Sequence, residues 1–242
     1  MGFPWLETDV PYLTTEQMIE VDRAMIEDFG IDLVRMMENA GRDLAHLARE
    51  RFLAGDPEGK TVVVLAGTGG NGGGALVCAR RLHGYGADVR VAITSEDMTA
   101  VPGQQLRILD NLDIPILVHD LPYADAQLIV DGIIGYSLEG APRDRAAELI
   151  RWANDGRAPI LSLDTPSGLD ATTGTVFDPA IVATATLALA LPKAGLRLPD
   201  AAWNVGELYL GDISVPPQLY RSEPLNLDVG PIFAGSDVVR LA

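Results

Sequence analysis

The sequence predicts an α/β fold in which a mostly parallel, doubly wound sheet lies between helices. Three observations predict it. Short β-branched or aliphatic runs alternate with amphipathic segments along most of the 242 residues, the pattern of successive βαβ units. The stretch at 61–82, TVVVLAGTGGNGGGALVCARRL, reads as strand, glycine turn and helix in succession. Several apolar runs then stop at an aspartate, a glycine or a lysine, and in a doubly wound sheet such strand ends converge on one crevice.

Thr14 and Gln17 have the spacing of a capping box. Met18, Val21, Met25 and Phe29 follow on one helical face that stops near Gly30. A second helix is predicted from Asp32 to Phe52, with an apolar stripe of Leu33, Met36, Met37, Ala40, Leu44 and Leu47. The methionines read as core filling. Glu38 and Asn39 flank that stripe, either solvated or facing a site. Thr61 to Ala66 is an unbroken apolar strand, the kind buried on both faces. A helix is expected over Ala75 to Leu82, with the single cysteine, Cys78, as a small core residue. Strands are predicted at Asp88–Ile93, Ile116–Val118, Leu128–Asp131, Ile160–Asp164, Thr184–Leu191 and Val205–Leu210, and helices at Val101–Leu112 and Arg145–Asn154. From Val215 onward the proline-rich tail reads as an extended wrap over the surface, suited to a subunit contact. One domain results, with N-terminal helices at 14–53, the α/β core at 60–213 and the tail at 214–242.

Composition excludes several classes. A formal charge of −16 repels nucleic acid and anionic membranes, so neither is an expected partner. No apolar run approaches a bilayer span, and the opening MGFPWLETDVPYL lacks the basic residues of a secretory or transit peptide. A cytoplasmic location is expected. His46, His83 and His119 lie far apart without neighbouring acids or cysteines, which argues against zinc. No histidine follows Ser137 to activate a serine nucleophile.

The chemistry is expected at the strand ends. Gly67, Gly69, Gly70, Gly72, Gly73 and Gly74 place free amides and a positive helix end at one point, which suits a phosphate. Glycine there permits close approach and positive φ. Gly67, Gly69 and Gly72 also satisfy G-x-G-x-x-G, which is weak evidence by itself. Asp131 opens DGIIGYSLEG, Asp164 opens DTPSGLD, and Lys193 follows the run ending at Leu191. An aspartate after aliphatic strand residues needs a partner, a ligand or an open end. Asn71, Asp131 and Ser167 offer only oxygen, an inventory for K⁺, Na⁺ or Mg²⁺ and not for zinc.

Five segments together resemble the YjeF N-terminal family of NAD(P)H-hydrate epimerases: MMENAG at 36–41, GTGGNGGGALVCARRL at 67–82, DGIIGYSLEG at 131–140, DTPSGLD at 164–170 and LPKAGL at 191–196. VGELYLGDISVP at 205–216 resembles that family's closing strand and tail. The resemblance implies a Rossmann-like three-layer α/β/α sandwich, a homodimer, and interconversion of the R and S epimers of hydrated NADH or NADPH (NADHX, NADPHX). It implies substrate contacts at Gly70, Asn71, Gly72, Gly73 and Gly74, at Gly135, Tyr136, Ser137, Leu138, Glu139, Gly140 and Ala141, and at Asp164. It implies a potassium site on Asn71, Asp131 and Ser167, with Asp164 as the proton-transferring group and Lys193 as a second catalytic candidate. One departure stands out. The family loop reads G-x-G-N-N-G-G-D-G, whereas this chain has Gly70 for the first Asn, Gly74 for the Asp and Ala75 for the last Gly.

That departure keeps a second reading open, a non-catalytic nucleotide-binding or interaction module on the same fold. A third, an ordinary NAD dehydrogenase, calls for an acid at the end of the second strand. Here that strand ends Val91-Ala-Ile-Thr-Ser, with Glu96 beyond it.

Overall fold

The computed structural model describes residues 2–122 and 125–241. Helix α1 (Thr15–Glu27) starts at the predicted capping box: Thr14 accepts from Gln17 N and the Gln17 side chain accepts from Thr14 N. Its buried face is Met18, Val21, Ala24 and Met25. Phe29, predicted on that face, lies past the helix end and is exposed. Helix α2 (Leu33–Leu47), capped by Asp32, continues through a π-helical turn over Ala48–Phe52, so the predicted long helix is present with its last turn underwound. Glu38 faces away from the strand ends and pairs with Arg80 at 2.7 Å, while Asn39 donates to Ser214 Oγ.

Among the described residues the sheet has eight strands in the order β3-β2-β1-β4-β5-β6-β7-β8. They are β1 (Thr61–Ala66), β2 (Asp88–Ile93), β3 (Ile116–Leu117), β4 (Leu128–Gly132), β5 (Ile160–Leu163), β6 (Ala185–Leu189), β7 (Glu207–Gly211) and β8 (Val238–Arg240). All neighbouring pairs are parallel except β7 and β8. Strand order reverses between β1 and β4, and the crevice outside the carboxyl ends at such a reversal is where open α/β sheets bind ligands.

Helices α2, α3 (Gly70–Gly84) and α4 (Ala100–Asp110) cover one face of the sheet, sharing a core with Val62, Val64, Ala66, Val130 and Leu163. Helix α5 (Asp144–Asp155) packs on Val63, Leu65 and Ile129 of the other face. This alternation along single strands is the three-layer α/β/α sandwich expected. Cys78 is buried in α3, as predicted. The short α6 (Ala202–Val205) leads into β7. The tail is not wholly extended. It forms α7 (Pro217–Arg221) and returns as β8, covering the sheet edge, because Val238 and Val239 supply an apolar alternating pair that β7 can bond. A third apolar cluster joins α1, α7 and the Ala188, Leu210 and Val239 face of β6–β8.

One buried acid in this scaffold predicts a pH dependence. Asp43 of α2 is 1 % exposed; its Oδ1 accepts from Arg42 Nε at 3.0 Å, and its Oδ2 has no partner among the described residues. Burial pushes its carboxyl up to about 7 against the pull of Arg42. Between about pH 4 and 7 the folded protein therefore holds a proton that the unfolded chain has released. This contribution to stability falls as pH rises through that window, by at most about 4 kcal/mol at ~1.4 kcal/mol per unit. Asp43→Asn should flatten the slope of urea midpoint against pH between 4 and 7.

Candidate active site

The predicted boundary between loop and helix after β1 moves. Helix α3 begins at Gly70, so four of the glycines form its first turns. None of Gly67, Gly69, Gly70, Gly72, Gly73 and Gly74 has positive φ. Close approach is what requires them. A Cβ on Gly67 would lie 1.9 Å from Ile133 O, and one on Gly72 would lie 1.9 Å from Gly67 O. Gly73 and Gly74 leave room for the Met37 and Leu163 side chains, 2.4 and 2.8 Å from the missing Cβ atoms. Only Gly70 and Asn71 of this segment line the adjoining cavity. With the amides of the first turn lacking intrahelical acceptors, the positive end of α3 opens there.

That cavity has a volume of about 330 Å³. Its apolar wall comes from α1 and α2, including Met18, Ile26, Leu33, Met36 and Met37, so these methionines fill the core and also line the cavity. Its polar floor is Asn71, Asp164, Tyr136 and Asp22. Asp22 was not singled out by sequence, although it falls four residues after Met18 on the apolar face of α1, where an acid needs a reason.

Asp164 ends β5 at φ +66°, and Thr165 N bonds back to Leu163 O at 2.8 Å, a tight three-residue turn that a non-glycine residue adopts under strain. The turn aims the carboxylate into the cavity. Oδ1 is paired with Lys193 Nζ, and Oδ2 accepts from Tyr136 N at 3.1 Å. Lys193 is fully buried and donates also to Leu189 O at 2.9 Å. An N-terminal segment that sequence patterning did not pick out pins its turn: Leu13 N bonds Pro192 O and Ala194 N bonds Leu13 O, each at 2.8 Å.

Asp131, at the end of β4, is fully buried and forms no ion pair among the described residues. It accepts from Ser167 Oγ at 2.6 Å, Ser162 Oγ at 2.8 Å, Ser167 N at 2.9 Å and Ile133 N at 3.2 Å. Burial raises its proton affinity, and these four donors oppose the rise. Segment 133–136 then stitches the strand ends together. Ile133 N reaches Asp131, Ile134 N reaches Ser167 Oγ at 2.9 Å, and Tyr136 N reaches Asp164. Gly135 sits where a Cβ would be 3.1 Å from Asp164 Oδ2 and 3.2 Å from Asn71 Oδ1. Of the five residues predicted to surround one crevice, Asn71 at the start of α3 and Asp164 line the cavity, whereas Asp131, Ser167 and Lys193 are fully buried and reach it only through their hydrogen bonds. Ser137 completes the lining, whereas Leu138, Glu139, Gly140 and Ala141 run on beyond it, with Glu139 and Ala141 exposed.

Asn71, Asp131 and Ser167 each carry a side-chain oxygen of the kind a hard cation takes. Asp131 has no ion-pair partner among the described residues but already accepts four hydrogen bonds, and Asn71 Nδ2, a donor and not a cation ligand, is buried without a partner among them. Among the described residues no cluster of three His, Cys, Asp or Glu side chains could hold a transition metal.

A mostly parallel α/β/α sandwich with a glycine-started helix after β1 and an acid–lysine pair beyond the ends of β5 and β6 defines the class. Residues 34–195 match the family described as YjeF-related protein N-terminus, and the chain belongs to that family. It is 42 % identical to an NAD(P)H-hydrate epimerase of Dehalogenimonas lykanthroporepellens, covering 92 % of this chain and 90 % of the relative. An NAD(P)H-hydrate epimerase of Truepera radiovictrix is 38 % identical over 84 % of this chain and 90 % of its own. The crystal structure of yeast YNL200c superposes with a TM-score of 0.83 at 26 % identity, covering 96 % of this chain and all of that one.

Proposed function

We propose that this protein is an NAD(P)H-hydrate epimerase, which interconverts the R and S forms of hydrated NADH or NADPH. The observation that carries the reading is Asp164, a buried, strained carboxylate held by Lys193 and Tyr136 N at a cavity that the positive end of α3 also faces. Near full-length similarity to two epimerases supports it. The substrate bears a hydroxyl on the ring carbon beside the ring nitrogen. Loss and return of water, or ring opening, each need one placed acid/base and a negative group near developing positive charge, and Asp164 supplies both. Lys193 balances the charge of Asp164 and fixes which oxygen faces the cavity. The amides of Gly70 and Asn71 are placed for a diphosphate, and the methionine wall for the flat apolar rings.

K⁺ on Asn71, Asp131 and Ser167 would neutralise the Asp131 carboxylate and tie segment 133–136 to α3. A homodimer is part of the same reading, as is a cytoplasmic setting; among the described residues no helix is long and apolar enough to cross a membrane. The test supplies the R epimer with a dehydratase specific for S and follows its consumption. Added protein should accelerate conversion above the spontaneous rate, and more in KCl than in choline chloride of equal ionic strength. Nucleotide binding by calorimetry without any acceleration would favour the non-catalytic module raised by Gly70, Gly74 and Ala75.

A further inference from the structure

Tyr136 is gripped at three points, and two of the grips come from a helix outside the sheet. Its amide donates to Asp164 Oδ2 at 3.1 Å. Its carbonyl accepts from Thr15 Oγ1 at 3.3 Å, and its hydroxyl donates to Asp22 Oδ2 at 2.5 Å. Thr15 and Asp22 lie seven residues apart on α1, two turns, and so share a face. The Tyr136 ring stands 6.0 Å from Lys193 Nζ, on the same side as the Lys193–Asp164 pair. Asp22 itself lines the cavity, and burial raises its proton affinity while Tyr136 and Lys193 oppose the rise.

We propose that Asp22 is a positioning residue: by anchoring the Tyr136 hydroxyl it fixes the Tyr136 amide, and with it the orientation of the Asp164 carboxylate. The chemical reason is the geometry of Asp164. Its backbone turn aims the side chain but does not set the torsion of the carboxylate, which its hydrogen-bond partners must fix. Lys193 holds one oxygen and a single loop amide holds the other. Ile133 and Ile134 before it are tied to Asp131 and Ser167, but the carbonyl and hydroxyl of Tyr136 itself are held from the α1 side, by Thr15 and Asp22. A loop amide displaced by about 1 Å would lose its hydrogen bond and let Asp164 turn, which can cost about 100-fold in rate. The inference rests on the epimerase reading of this cavity, and its test has one readout that does not.

The experiment is a double-mutant cycle on Asp22→Leu and Tyr136→Phe, with Asp22→Asn as the conservative variant, read by epimerase kinetics and by amide hydrogen exchange over residues 133–137. Each single change should lower kcat by about 10- to 100-fold with little change in KM. The double variant should be no more than about twofold worse than Tyr136→Phe alone, and Asp22→Asn, which keeps an acceptor, should recover most of the rate. Exchange at 133–137 should quicken at least tenfold in both single variants while residues 17–25 of α1 stay protected. Multiplicative rate losses, or unchanged exchange beside a full loss of rate, would overturn the proposal and make Asp22 a group that acts on substrate directly. If the wild-type protein shows no epimerase activity, the functional reading falls, and the exchange measurements alone decide whether Asp22 holds the loop.

Discussion

Asp164→Asn and Lys193→Met are each expected to destabilise the protein by about 3–5 kcal/mol, while the double variant recovers most of that loss and none of the activity. Both side chains are buried, Lys193 fully and Asp164 at 4 % exposure. Removing either strands a charge with too few partners. Among the described residues, Lys193 would keep only Leu189 O, and Asp164 would keep only Tyr136 N. A buried charge left alone costs several kcal/mol because it has surrendered its water, whereas removing both charges leaves neutral side chains of similar volume. Asparagine suits position 164 because it tolerates the positive φ found there and still accepts from Tyr136 N. For a chain of this length, the single losses correspond to a fall in thermal midpoint of roughly 6–20 °C.

Activity should separate the two residues. Asp164→Asn should lower kcat by about 10²–10⁴, the range for loss of a placed acid/base, and the double variant should stay at that floor. Denaturation and single-epimer kinetics on the same four proteins settle it. A double variant with restored activity would remove Asp164 from proton transfer. Single variants within 1 kcal/mol of wild type would mean that the pair is solvated in solution.

What sequence made legible follows from which interactions are local. The β1 and β2 bounds, the capping box at Thr14 and the aspartates closing β4 and β5 depend on neighbours in the chain, so periodicity and turn chemistry reveal them. The gathering of Asn71, Asp131, Asp164, Ser167 and Lys193 followed from topology, because parallel strands with helical crossovers bring their carboxyl ends to one edge. Long-range contacts were not legible. The bonds from Leu13 to the Lys193 turn, and from Asp22 to Tyr136, span more than a hundred residues and have no periodic signature. Phe29 continued a helical pattern past the point where the helix ends, and Val238 and Val239 were too short a run to announce β8. The glycine run marks its segment as special but not the reason, which is not positive φ: Gly67 and Gly72 pack backbone on backbone, and Gly73 and Gly74 make room for Met37 and Leu163.

Gly72→Ala should therefore be among the most damaging conservative changes in the molecule, whereas Gly70→Ala, two residues away in the same helix, should be harmless. Intrinsic propensity gives both substitutions the same sign, because alanine favours a helix over glycine by about 1 kcal/mol. Space reverses it at Gly72. Its Cβ would fall 1.9 Å from Gly67 O, 2.6 Å from Gly67 C and 2.9 Å from Gly67 N. These are backbone atoms of a residue that is itself seated against Ile133 O, so no side chain can swing aside. The start of α3 must lift from β1, and the break reaches Asn71 and segment 133–136. A loss of about 3–5 kcal/mol is expected, at the severe end for one added methyl group. At Gly70 the nearest atom is Met37 Cε at 4.0 Å, an ordinary contact, and Gly70→Ala should gain up to about 1 kcal/mol. Gly73→Ala and Gly74→Ala meet the movable side chains of Met37 and Leu163 and should fall between. Urea unfolding of the four variants tests the order. Equal stability of Gly72→Ala and Gly70→Ala would mean that α3 is not seated on β1 through Gly67, and the placement of Asn71 beside Asp164 would lose its physical basis.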